Sequence, residues 1–152
     1  MYRPVDIDHI FPDPPGPLEI LLITTLSPGS LNRTYANAHM QICWQVGTRG
    51  DHSIIYRRLQ VVKEIDSNHL TNWGPITKNM GIATVTASEI AVITTMTLQN
   101  RQNLEQIAAN TPVYVPDGRW NCQDWVKDVL RQAVDRGLVT DKEVEAAFSM
   151  HE

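Results

Sequence analysis

Residues 38–47 read AHMQICWQVG, and the alternation in that decamer constrains the chain more than any other feature. A β-strand turns successive side chains to opposite faces. Met40, Ile42, Trp44 and Val46 therefore share one face, and His39, Gln41, Cys43 and Gln45 share the other. The pattern is that of a strand with one apolar and one mixed polar face.

The neighbouring segments supply the sheet. TRGD (48–51) is a turn, and HSIIYRRLQVV (52–62) is rich in β-branched residues, so the two runs form a hairpin. LEILLITTL (18–26), bounded by PGP and SPGS, is short, apolar and rich in Ile and Leu, as a buried strand is. SPGSLNRTYAN (27–37) then reads as a loop, and Lys63 to Gly81 as mainly loop with room for one short strand. IATVTASEIAVITTM (82–96) is β-rich again, and its pattern reads as one strand followed by a turn into more β or into a helix.

The period then changes. LQNRQNLEQIAANT (98–111) places Leu104, Ile107 and Ala108 on one side of a helix that Pro112 stops. VYVPDGRW (113–120) is a connector. From Asn121, residues Trp125, Val126, Val129, Leu130 and Ala133 fall at helical spacing, with Gly137 closing the helix. Thr140 and Glu143 form a capping box for a last helix, DKEVEAAFSM. Strands first and helices afterwards predict an α+β fold, an antiparallel sheet packed by C-terminal helices on one side.

A chain of 152 residues supports one such domain. The organisation expected is a Pro-rich arm over residues 1–17, lying on the domain or left mobile, followed by a single α+β domain over 18–152. Pro4, Pro12, Pro14, Pro15 and Pro17 forbid a regular helix in the arm. A net charge of −4 leaves no global basic field for nucleic acid. The one dense basic spot, Arg57-Arg58, reads as an exposed strand pair. No apolar run reaches the roughly 18 to 20 residues a bilayer span needs, and the N-terminus lacks the order of a secretory signal. A cytoplasmic location follows as the default. Cys43 and Cys122 show no zinc-ligand spacing, and the 5 histidines form no HExxH pattern. Neither a metal nor a cofactor is expected. The partners expected are a small-molecule or peptide substrate and, through an exposed apolar strand edge, a second copy in a homodimer.

Chemistry concentrates at GRWNCQDWV (118–126). With Asn121 as N-cap and Asp124 three residues on, Cys122 takes the first helical position. Free N–H groups and the positive helix end favour a thiolate there, and the same groups can hold an oxyanion. Asp124 opposes this with a nearby negative charge. The plain alternative is a small apolar residue filling a core, and for Cys43, in mid-strand, packing is the reading. A nucleophilic cysteine needs a base. His39 opens a strand on the face opposite the apolar row, where its ring projects toward a groove or simply into solvent. His52 begins the next strand and is a candidate to orient or replace it, and Asp51, Gln41 and Gln45 are candidates to hold the tautomer.

These features together resemble the circularly permuted papain-like (NlpC-type) fold. A histidine opens a strand, a second strand follows, and "NC" with a polar pair, an aromatic and Val starts a late helix. In lecithin retinol acyltransferase-like members the nucleophile motif reads close to NCEHFV; here it is Asn121-Cys122-Gln123-Asp124-Trp125-Val126. The chain also resembles a group of small fungal proteins with a strand histidine and a late NCQxW helix, over roughly residues 18 to 140. The resemblance implies a thiol-dependent hydrolase or acyltransferase acting on an amide, ester or thioester, with Cys122 forming the acyl-enzyme and His39 as general base. Trp120, Trp125, Gln41 and Asn121 would line or support the substrate site. Methionine follows His39 where the family has an aromatic, and no histidine stands near Tyr56-Arg57 for a third member. Two other outcomes fit the same residues: a non-catalytic binding module on this fold, or a small-molecule enzyme using histidine or aspartate acid–base chemistry without the thiol.

Overall fold

The computed structural model describes residues 5–25, 38–63, 69–115 and 120–150. Along the chain run β1 (Leu18–Thr25), β2 (His39–Thr48), β3 (Ile54–Leu59), β4 (Val62–Lys63), β5 (Leu70–Thr71) and β6 (Ile76–Met80). Then come α1 (Ile82–Thr86), β7 (Ser88–Met96), α2 (Leu98–Asn110), α3 (Cys122–Asp135) and α4 (Asp141–Ser149). The fold is α+β. Five strands form one antiparallel sheet in the order β6-β3-β2-β1-β7, and β4 pairs with β5 beside it. The loop expected at 27–37 and half of the connector before Asn121 (116–119) lie outside the described residues.

The alternation in β2 divides the molecule into two cores. Met40, Ile42 and Trp44 join Ile20, Leu22 and Leu59 under α2, α3 and α4, against Leu104, Ile107, Trp125, Val126, Val129 and Leu130. Each large apolar side chain so buried contributes about 1.5–3 kcal/mol relative to exposure. Ile23, Cys43, Tyr56 and Met80 form a smaller cluster on the opposite face, where Val85 of α1 packs. Helices therefore lie on both faces, three of them on one side and a short one on the other.

That short helix answers the ambiguity of 82–96, with the helix coming before the strand. β6 and β7 are the two edges of the sheet, so the chain between them must cross the whole sheet before Ser88 can pair with Thr25. IATVT is β-branched in composition but makes the crossing as α1 with no residue buried, a case of tertiary demand overriding propensity. β7 also bulges. Val92 faces Leu21 but Thr94 faces Ile20, so Ile93 is the extra residue, turned into the main core.

Described residues 5–17 of the proline-rich arm lie on the domain. Ile7 N–H donates to the Thr77 carbonyl (3.0 Å) and Asp6 Oδ1 accepts from Thr77 N–H (3.0 Å), which covers the outer edge of β6. Phe11 sits so close to Gly47 that a Cβ there would fall 2.8 Å from its ring. Asp13 accepts from Trp44 Nε1 (3.2 Å) and pairs with Arg101 (3.0 Å). Arg101 is fully buried and also donates to the carbonyls of Pro14, Gly16 and Met96. A buried guanidinium is tolerable only when nearly every donor is engaged, as here.

The Arg57-Arg58 pair, expected as an exposed strand pair, is divided between the faces. Arg57 bonds Glu105 Oε1 of α2 at 3.0 Å with only 14% of its side chain exposed. Arg58 stands beside Cys43 on the α1 side.

Candidate functional site

The start of α3 is built as its sequence demands. Asn121 Oδ1 accepts from Gln123 N–H (2.9 Å), and Asp124 Oδ2 accepts from Asn121 N–H (2.8 Å), closing the capping box. This places Cys122 at the first helical position, half-buried against the main core. Its Sγ lies 3.8 Å from the Ala38 carbonyl, to which Gln123 Nε2 also donates (3.1 Å). The sulfur thus rests beside the first residues of β2. Burial raises its pKa above the ordinary thiol value; the backbone N–H groups of Met40, Cys122 and Gln123 pull it down, and Asp124 adds to the rise. The net direction is upward, so the group is a thiol near neutral pH.

His39 belongs to the other face. Its Nε2 lies 2.7 Å from Gln60 Oε1. An amide oxygen only accepts, so Nε2 carries the proton and Nδ1 keeps its lone pair. Burial lowers the imidazole pKa, the Gln60 bond raises it by less, and the Arg58 charge lowers it further, which keeps the ring neutral. Among the described residues, no hydrogen bond joins His39 to Cys122.

The other predicted site residues are dispersed. His52 sits exposed in the turn at the opposite end of β2, with φ +67°. The nine residue steps of that strand put it about 30 Å from His39, so it does not orient that imidazole. Asp51 accepts from Ser53 N–H (3.0 Å) and Ser53 Oγ (2.6 Å), which lowers its pKa and shapes the turn. Trp125 is fully buried with Nε1 donating to the Thr111 carbonyl (3.4 Å), a core residue with no surface to offer a substrate. Trp120 is half-buried and stacks edge-on with Tyr114 at 5.1 Å. Cys43 is fully buried and its thiol is pushed up to about 12 by that burial.

Gln41 behaves differently. It is 2% exposed, two residues from His39 on the same face, and its Oε1 has no hydrogen-bond partner. Arg58, the diagonal neighbour of Gln41 across the β2–β3 pairing, donates Nη2 to the Asn79 carbonyl (2.8 Å), while its Nε is buried without a partner. Gln41, His39, Gln60 and Arg58 therefore bring two acceptors and a cation to one patch of the α1-side face. Gln60 and Arg58 were missed from sequence. Only the hairpin register brings them beside His39 and Gln41, and a bulge at Val46 shifts that register by one residue.

An open groove of about 450 Å³ at the far end of β1 and β2 is lined by Pro14, Pro17, Leu18, Leu21, Gln45 and Val46, with Glu19 as its charged group. It holds neither His39 nor Cys122. Among the described residues, no three His, Cys, Asp or Glu side chains converge to hold a metal, and no helix is long and apolar enough to cross a membrane.

No family model, no curated protein and no solved structure matches this chain. The papain-like arrangement accordingly rests on the sequence resemblance alone.

Proposed function

We propose that the domain is a small-molecule-binding module whose ligand engages the α1-side face at Gln41, with His39 and Arg58 beside it, and that Cys122 packs rather than reacts. The observation that carries this is the Gln41 Oε1, buried and without a partner on the face that also holds the neutral His39 and the unpaired Arg58 Nε. An unsatisfied buried acceptor costs about 1–3 kcal/mol. A leucine would fit the same strand without that cost. Both atoms lie beneath the surface, so a ligand offering an N–H or O–H to Gln41 and an acceptor to Arg58 relieves them only by parting the side chains that cover the patch as it enters.

The test is a thermal-shift screen of small polar molecules (amino acids, hydroxy acids, sugars, nucleosides) against the wild type, Gln41→Leu and Cys122→Ala. A compound that stabilises the wild type and Cys122→Ala equally, and loses its effect on Gln41→Leu, supports the assignment. A compound whose effect survives Gln41→Leu overturns it. So does a covalent acyl adduct on Cys122, seen by intact mass after exposure to an activated ester, which restores the thiol hydrolase or acyltransferase.

A second reading follows from the His39–Gln60 bond. A neutral imidazole with a fixed tautomer presents Nδ1 as a general base, so the bound molecule can be a substrate for proton transfer. Turnover that survives Cys122→Ala and disappears in His39→Ala is its signature.

A further inference from the structure

The two edges of the sheet are finished differently. β6 is five residues long, carries the exposed Lys78, and has the arm bonded along it through Ile7 and Asp6. Charge, shortness and cover are the usual protections of an edge. β7 is nine residues long, SEIAVITTM, with neither lysine nor proline, and among the described residues no further strand pairs beyond it. Ile90 and Val92 stand 36% and 49% exposed on its α1-side face, next to the half-buried Leu21 of β1. A long, nearly uncharged edge with exposed β-branched residues is a template for another strand.

The geometry points to a second copy of this chain as the occupant: we infer that two molecules pair β7 with β7, antiparallel, about a two-fold axis at Ala91. In that register Ile90 meets Val92 of the second copy and Val92 meets its Ile90, both pairs on the α1-side face. Glu89, the only charge in the strand, falls toward the bulge at Ile93 of the second copy and away from the other Glu89. The strand is thus complementary to itself without a like-charge contact, as an isologous two-fold interface requires. The regular stretch 88–92 precedes the bulge at Ile93, and Glu143 of α4 bonds Thr94 where the bulge ends the straight edge. In this register only Ile90, Ala91 and Val92 pair wholly within that regular stretch, so the dimer is a weak one that dissociates on dilution.

Sedimentation equilibrium across roughly a hundredfold range of concentration tests this. The wild type should move from the 17.2 kDa monomer toward twice that mass as concentration rises. Val92→Lys, at an exposed position, should raise the dissociation constant by roughly tenfold or more, while Asn79→Lys on the opposite edge should leave it unchanged. A wild type that stays monomeric throughout overturns the inference, as does a Val92→Lys protein that dimerises like the wild type. Amide hydrogen exchange gives a second reading on the wild type alone. The Ile90–Val92 amides should slow as concentration rises, and exchange independent of concentration there also rejects the pairing.

Discussion

His39 and Cys122 lie on opposite faces of the central sheet. The cysteine sulfur rests 3.8 Å from the carbonyl of Ala38, one step back along the chain, while the imidazole bonds Gln60 on the far side. Because side chains alternate with period two, a one-residue difference in register separates a thiol–imidazole dyad from the arrangement observed. Proximity in the backbone is not proximity in chemistry.

Cys122 should react as an ordinary or slower-than-ordinary thiol. Its raised pKa means little thiolate at pH 7, so iodoacetamide labelling should be slow there. Its rate should climb with pH through a midpoint above the free-thiol value of about 8.5. Cys43, fully buried, should label only on unfolding. Rapid labelling of Cys122 near pH 6 to 7, followed by peptide mass spectrometry, would falsify the packing role.

Gln41→Leu should make the ligand-free protein more stable. The substitution removes a buried acceptor that has no partner and keeps nearly the same volume, so a gain of about 1 kcal/mol is expected, read as a rise of roughly 2–4 °C in Tm. A fall in Tm would mean the carboxamide is bonded in the ligand-free state.

The stability of the domain should fall with acid in a way that depends on His39. Its folded pKa lies below the unfolded value near 6.5, so the folded state holds fewer protons. The contribution is complete above pH 6.5 and is lost as pH drops below it, when the unfolded chain gains a proton that the native state resists. His39→Gln should flatten the urea-midpoint profile below pH 6.5. A variant profile parallel to the wild type would remove His39 from the acid response.

Arg101→Met should be severely destabilising although the residue never contacts solvent. It leaves Asp13 without its cation and three carbonyls without donors. Breaking a buried pair of this kind costs about 3–5 kcal/mol, roughly 10 °C in Tm. Limited proteolysis should then cleave within residues 5–17, where the wild type resists. An unchanged cleavage pattern would show that the arm is held by its other contacts.

Much of the fold was legible along the chain. Local signals wrote the α3 cap from Asn121 and Asp124, the α4 cap from Thr140 and Glu143, and the two faces of β2, because each depends on residues within one turn or one strand. Even the separation of His39 from the helix-covered row was present in the alternation of residues 38–47. At Cys122 local geometry at the helix start favours a thiolate, while burial against β2, invisible in sequence, raises the thiol pKa.

The sequence by itself determined the α+β class, the capped C-terminal helices and the identity of the core-facing residues. All of these follow from periodicity and capping, which are local. Only the tertiary structure decided that Arg58 and Gln60 stand beside His39 and Gln41, that α1 crosses the second face, and that Arg101 holds the arm. Those relations depend on strand order, on the bulges that shift register, and on the path between edge strands. They join residues tens of positions apart, through packing that no local pattern encodes.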